Sequence, residues 1–245
     1  MRVRIYLGLI NNKISVHYHS LLQGLIYHSL GYSDEITDLH DVGKRIDNRP
    51  FKLFTFSEIY AQARYLKNEK KLLFLENGYF DFTSFNQELI IKFIEHLNWN
   101  NKILLGENTI DVLGYDLLDD NIKIIDDACV FSTCSPIVCY KTENKKTIYF
   151  DPSDIEFTNL LKNNLAKKFY LCYEEELPNF EIVNIKNIKK KIVHFRNTFY
   201  NAYHCKIIVN LTDRRLANVI MTTGLGSKNS MGFGMVNYEK PVLSL

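Results

Sequence analysis

Apolar and polar residues alternate from the start of the chain. Val3, Ile5, Leu7 and Leu9 stand against Arg2, Arg4 and Tyr6, the period of a half-buried strand over residues 2–10. Asn11-Asn12 reads as a turn. The period then changes: Leu21, Leu22, Leu25, Ile26 and Leu30 fall at helical spacing between His17 and Leu30, and Gly31 ends the helix. Ser33–Asn48 is polar and reads as a loop with room for a short helix. Strands follow at Phe51–Phe56, Lys71–Leu75 and Tyr79–Phe82, with Asn77-Gly78 joining the last two as a hairpin. Phe85–Trp99 is amphipathic, with Leu89, Ile90, Phe93, Ile94 and Leu97 on one side, and Ile103–Leu118 returns to strand character.

Strand, helix, two strands, helix, strand is the order of a split βαβ unit, and the first half follows it with one further strand between its helices. The second half repeats it. Ala128–Tyr140 is strand-like, Ser153–Phe169 helical, Phe180–Val193 and Phe199–Leu211 strands, Arg214–Thr222 helical with Asp213 at its start, and Met231–Tyr238 a strand. The predicted fold is α+β: two tandem ferredoxin-like (βαββαβ) domains, each an antiparallel sheet with helices on one face. The expected domains are 1–118 and 128–245. A linker at 119–127 carries Asp119-Asp120-Asn121 and Asp126-Asp127.

A chain of 245 residues accommodates two such units of about 120 each. Its 46% apolar and 24% charged content is that of an ordinary globular protein, and no apolar run reaches the ~20 residues of a membrane span. The five cysteines (129, 134, 139, 172 and 205) form no C-x-x-C pair, so they read as reduced structural thiols in a cytoplasm, with no metal or cofactor expected. On a strand, 129 and 139 would share one face and 134 the other.

Net charge is only +2, but its distribution is uneven. Between Ile185 and Ser230 nine Lys or Arg (186, 189, 190, 191, 196, 206, 214, 215 and 228) face a single acid, Asp213. A local basic field of this kind suits a polyanion. Within it, Gly224, Gly226, Gly232 and Gly234 frame Lys228 in an eleven-residue run, offering bare amides and a cation to phosphate. The element order around this run is helix, loop, strand. A dinucleotide fingerprint or a P-loop needs strand, loop, helix, so both are excluded.

The spacing of that run, G-x-G, five residues, G-x-G before a last strand, resembles the signature of the repeat-associated RNA-binding proteins of CRISPR systems. Within them the chain is similar to the endoribonuclease that cuts CRISPR precursor transcripts into guide RNAs. Gln23-Gly24-Leu25-Ile26-Tyr27, Leu39-His40, Lys52-Leu53-Phe54-Thr55 with Ser57, and Asn229–Val236 match it in order along essentially the whole chain. The resemblance implies a metal-independent active site formed by Tyr27, His40 and Lys52. It also implies RNA contacts from Gly224, Gly226, Lys228, Gly232, Gly234, Lys186, Lys189, Lys190, Arg196, Arg214 and Arg215. Lys44–Arg49 lengthens the stretch between His40 and Lys52 relative to some relatives.

The three residues also make chemical sense by themselves. RNA is cut without metal when its 2′-OH attacks the adjacent phosphate, which needs a base, an acid for the departing 5′-oxygen and a cation for the phosphorane. Histidine serves either proton role near neutrality. Lys52 supplies a cation. Tyr27 orients the 2′-OH, or acts as base if a cation such as Lys52 sits beside it. Other residue assignments stay open: Tyr27 as a core tyrosine, His28, His17 or His19 in place of His40, and Lys44, Arg45 or Arg49 in place of Lys52. The implied substrate is CRISPR repeat RNA, precursor and mature guide. Effector-complex subunits and a homodimer remain open as further partners. The main alternative is a subunit that binds repeat RNA without cutting it.

Overall fold

The computed structural model describes residues 1–31, 44–46, 49–119 and 128–239. The first half begins with β1 (Arg2–Gly8), β2 (Lys13–Ser15) and α1 (His19–Ser29). After β3 (Lys44–Ile46) and β4 (Arg49–Phe51) come β5 (Phe54–Phe56), β6 (Ala63–Leu66), β7 (Lys71–Phe74) and β8 (Gly78–Ser84). It closes with α2 (Gln87–Trp99), β9 (Lys102–Leu105) and β10 (Asn108–Leu118). Its main sheet runs β5-β8-β1-β10-β9, antiparallel throughout. Val3 and Ile5 lie opposite Phe82 and Phe80, and together they face Leu22, Ile26, Ile90 and Phe93 of the two helices. The alternation seen in the first residues therefore becomes the inner face of one core. Asn86 starts α2 by accepting the Glu88 amide at 3.0 Å.

The second half repeats the plan. It contains β11 (Ala128–Thr133), a hairpin of β12 (Tyr140–Glu143) and β13 (Lys146–Tyr149), and α3 (Ile155–Tyr173). The long β14 (Phe180–Phe195) and β15 (Thr198–Leu211) follow, then α4 (Arg214–Thr223) and β16 (Val236–Glu239). The sheet order is β14-β15-β11-β16. Phe131, Ile207 and Val209 pack with Leu161, Leu165 and Phe169 of α3 and Leu216 and Ile220 of α4. Both halves thus have the tandem ferredoxin-like, antiparallel plan expected from the pattern. Cys129, Cys134, Cys139 and Cys205 are buried thiols without disulfide partners. No helix among the described residues is long and apolar enough to cross a membrane.

Four local expectations differ. First, β7 and β8 do not form a hairpin: β7 pairs with β2 and β6, and β8 pairs with β1 and β5. Gly78 is instead where the Tyr60–Ala61 backbone passes: a Cβ there would meet the Tyr60 carbonyl oxygen at 2.5 Å. Second, the strand expected over 51–56 breaks at Lys52-Leu53, where Leu53 takes φ 48°. Third, Ile103–Leu118 is two strands, turning at Gly106 with φ 66°. Fourth, the strand-like run from Ala128 ends at Thr133 and the last strand begins only at Val236.

The halves are joined by buried polar contacts. Arg2, 2% exposed, donates to the carbonyl of Val236 at 2.8 Å and to the side chain of Asn237. Thr55 donates to the Phe233 carbonyl at 3.0 Å, and the Glu58 amide to the Cys134 carbonyl at 3.1 Å. Beside them the Glu58 carboxylate, 15% exposed, receives Lys191 Nζ at 2.5 Å and faces His204 Nε2 at 3.3 Å and His19 Nε2 at 3.5 Å. Burial opposes ionisation of Glu58. The hydrogen bonds from His19 and His204, and the Lys191 charge, outweigh it and hold the carboxyl well below its ordinary range.

Candidate active site

Tyr27 sits in the last turns of α1, half-buried beside the core rather than inside it. Lys52 lies at the break between β4 and β5. The left-handed turn at Leu53 interrupts the strand there, and Leu53 returns its carbonyl to the Phe85 amide at 3.0 Å. From that break Lys52 Nζ donates to Tyr27 Oη at 2.7 Å and lies 4.4 Å from the centre of the tyrosine ring. Gln23, one turn earlier on α1, places Nε2 at 3.4 Å from the same oxygen and donates to the Ser230 carbonyl at 2.8 Å. A chain of polar contacts therefore runs from the glycine-rich loop through Gln23 to Tyr27 and Lys52.

Lys52 opens onto a cleft of about 540 Å³ between the two halves. Pro50–Phe54 line it from the first half, and Tyr140, Asn164, Lys228 and Ser230 from the second. Lys228 Nζ lies 5.5 Å from the centre of the Tyr140 ring, so a cation and an aromatic face line the same cleft as Lys52.

His40 lies outside the described residues, as do the side chains of Lys44, Arg45 and Arg49. The rival histidines are engaged elsewhere. His28 meets His96 of α2 with ring centres 5.3 Å apart, His17 meets His194 at 4.4 Å, and His19 faces Glu58. Burial, then the neighbouring His194, push His17 below its ordinary pKa.

The proposed RNA-contacting residues divide into two groups. Lys186, Lys189 and Lys190 on β14, Arg196 at the tip of its hairpin with β15, and Arg214 on α4 are exposed. Lys191, in the same basic run, is held by Glu58. Arg215 is bound by Asp213 at 2.8 Å and Glu175 at 2.9 Å and lies over the Tyr173 ring. Gly224, Gly226, Gly232 and Gly234 are buried, all with φ between 68° and 82°. The amides of Gly224, Gly232 and Gly234 donate to the carbonyls of Ile220, Asn229 and Pro136, so three of the four glycine N–H groups are used inside the protein. A Cβ on Gly226 would sit 2.7 Å from the Val138 carbonyl oxygen. The glycines let the loop bend back and pack closely, and they bring Lys228 and Ser230 to the cleft.

Three residues around the site carry little signal in the sequence. Glu58 belongs to no motif. Gln23 stands out only as part of a longer run. Lys168 of α3, 2% exposed, lines the cleft wall from within. It falls on the apolar stripe Phe157-Leu161-Leu165-Lys168, and a lysine on that face is the signal that marks it.

A paired ferredoxin-like architecture with a polar cleft at the junction defines a class, and comparison with known proteins identifies which one. Residues 13–113 match the model of the CRISPR-associated protein Cas6 N-terminal region, and residues 119–238 match that of its C-terminal region. The chain is 31% identical over 199 residues to CRISPR-associated endoribonuclease Cas6 1 of Methanocaldococcus jannaschii, covering 79% of this chain and 76% of that protein. It is 26% identical over 230 residues to CRISPR-associated endoribonuclease Cas6 of Pyrococcus furiosus, covering 93% and 84%. A solved structure described as CRISPR associated protein Cas6 superposes with a TM-score of 0.78 at 26% identity, covering 98% of this chain and 99% of that one. The chain belongs to the Cas6 family.

Proposed function

We propose that this protein is an endoribonuclease that cuts CRISPR repeat RNA in the precursor transcript to release guide RNAs, using Tyr27, His40 and Lys52. Its membership of a family whose curated relatives are named endoribonucleases supports the activity. The observation that carries the choice of residues is the 2.7 Å contact between Lys52 Nζ and Tyr27 Oη at the edge of a cleft between the halves.

In the reaction we infer, a base removes the proton of the ribose 2′-OH, and the 2′-oxygen bonds to the neighbouring phosphorus. The bond from phosphorus to the 5′-oxygen breaks, and an acid protonates the departing oxygen. The products are a 2′,3′-cyclic phosphate and a 5′-OH. Lys52 neutralises charge on the phosphorane oxygens. His40 fills one of the two proton roles, and Tyr27, held by Lys52 and Gln23, orients the 2′-OH. The nucleophile comes from the RNA itself, so no metal-activated water enters the scheme.

The test is a comparison of His40→Ala and His28→Ala on a repeat RNA. Loss of one general acid or base costs about 10²–10⁴-fold in rate. We expect that loss for His40→Ala, with RNA binding kept within a few-fold, and near wild-type cleavage for His28→Ala. The reverse pattern overturns the assignment. A wild-type protein that binds the repeat and never cuts it would be the non-cleaving subunit instead.

A further inference from the structure

Lys168 projects from α3 into the interior, and its hydrogen bonds among the described residues go to oxygens at the end of α4 and in the glycine-rich segment. Its Nζ donates to the carbonyl of Gly224 at 2.7 Å, to Asn229 Oδ1 at 2.7 Å, and more distantly to the carbonyls of Gly226 at 3.3 Å and Thr223 at 3.4 Å. Among the described residues it has no carboxylate partner. The titratable groups that face it are the thiols of Cys139 and Cys172. Burial pushes its ammonium down to about 7, against the smaller opposing effect of the two thiols.

Asn229 extends the clamp. While its Oδ1 accepts from Lys168, its Nδ2 donates to the carbonyls of Leu225 at 3.0 Å and Phe233 at 2.9 Å, tying both ends of the loop together. The next residue is Ser230, whose carbonyl receives Gln23 Nε2 at 2.8 Å. The same Gln23 amide reaches Tyr27 Oη, on which Lys52 sits. At 2% exposure Lys168 cannot itself meet RNA in the cleft. It can act only through the loop it holds.

We propose that Lys168 is a positioning residue for cleavage: it clamps the Gly224–Met231 loop so that Ser230 anchors Gln23, and Gln23 fixes Tyr27 against Lys52. The proposal rests on the functional reading above. It predicts that the second half tunes chemistry in the first without touching the scissile phosphate.

The test uses the whole protein as wild type, Lys168→Met, Gln23→Leu and the double variant. Amide exchange by mass spectrometry follows residues 20–30 and 222–233, with 2–8 as control. Repeat RNA provides single-turnover rates and affinities. Lys168→Met should speed exchange in the loop and also over 20–30, leaving 2–8 unchanged. Its cleavage rate should fall about 10–100-fold, the scale of a catalytic group displaced by a fraction of an ångström to an ångström, while Kd stays within about three-fold. The double variant should cut no more slowly than the slower single, because both changes break one chain of contacts. If Lys168→Met does not fold, Asn229→Ala takes its place, with the same results expected. Faster exchange in the loop alone with an unchanged rate, or rate losses that multiply, overturns the proposal. A wild-type protein that cuts no repeat RNA refutes the functional reading. The exchange over 20–30 then still decides whether Lys168 reaches Tyr27.

Discussion

Lys52 Nζ donates to Tyr27 Oη at 2.7 Å and also lies 4.4 Å from the centre of the Tyr27 ring. One residue comes from a helix and the other from a break in a strand, and they meet at the edge of the cleft between the two halves. The contact gives a cation a fixed place and a phenol a fixed direction; of the base, acid and cation that metal-free RNA cleavage requires, it offers the cation.

Removing either partner should therefore damage rate more than binding. Lys52→Ala should slow single-turnover cleavage by about 10²–10³-fold, the scale of removing one oxyanion-stabilising group. Tyr27→Phe keeps the ring and removes the hydroxyl that orients the 2′-OH, and should cost about 10-fold or more. Residues that act as a unit lose activity non-additively, so the double variant should be little worse than Lys52→Ala. Rates that multiply would show that the two side chains act separately.

Glu58 makes stability depend on pH in a defined direction. Its carboxyl titrates below its ordinary value of 4.5 in the folded protein. Stability from a depressed carboxylate is present above the unfolded pKa and is lost as pH falls through the folded one. Near neutrality Glu58→Gln should be less stable than wild type by about 2–4 kcal/mol, because His19, His204 and Lys191 lose a buried anion. The two stability curves should converge as pH falls below about 4.5. Curves that stay parallel down to pH 3 would remove Glu58 from the joint between the halves.

The glycine-rich loop should fail by unfolding before it fails by losing RNA. Gly226→Val forces a β-branched residue to φ 68° with its Cβ against the Val138 carbonyl. Strain and clash together should cost about 3 kcal/mol or more. The melting temperature should drop by several degrees, and affinity measured in the cold should stay near wild type. A stable Gly226→Val protein that no longer binds RNA would instead mean that the loop backbone meets phosphate directly.

Lysines on the exposed hairpin should set affinity. Replacing Lys186, Lys189 and Lys190 together with Ala should reduce the slope of log K against log salt by about 0.7 for each phosphate that these lysines neutralise. Arg215→Ala should leave that slope unchanged and lower stability, since Asp213 and Glu175 hold its guanidinium. Equal slopes for the triple variant and wild type would take β14 out of the RNA path.

Much of this fold can be read from periodicity. Val3, Ile5 and Leu7 alternate because one face of β1 is covered by helices, and Leu22, Leu25 and Ile26 recur at helical spacing because α1 is one of them. The features that shape the site are harder to read, because each reverses a local preference. Leu53 adopts a left-handed turn that no leucine favours, so Phe51–Phe56 looks like one strand. Tertiary packing selects that turn through the Leu53 carbonyl and the Phe85 amide. The β12–β13 hairpin turns on Asn144-Lys145 without a glycine, and Lys168 reads as a solvated lysine unless its place on the apolar stripe is counted. Tyr27 and Lys52 are legible through motifs. That they share a site is what the resemblance implies; the direct 2.7 Å contact between residues 25 apart is seen only in the structure.

The most direct test of metal-free cleavage by the 2′-OH uses a repeat RNA carrying a single 2′-deoxy nucleotide just before the cut, in EDTA, beside the all-ribose RNA. We expect the all-ribose RNA to be cut in EDTA to a 2′,3′-cyclic phosphate and a 5′-OH, and the deoxy RNA to bind equally well and stay whole. Cleavage of the deoxy RNA at the same bond, or a strict need for Mg²⁺ with the all-ribose RNA, would contradict this mechanism.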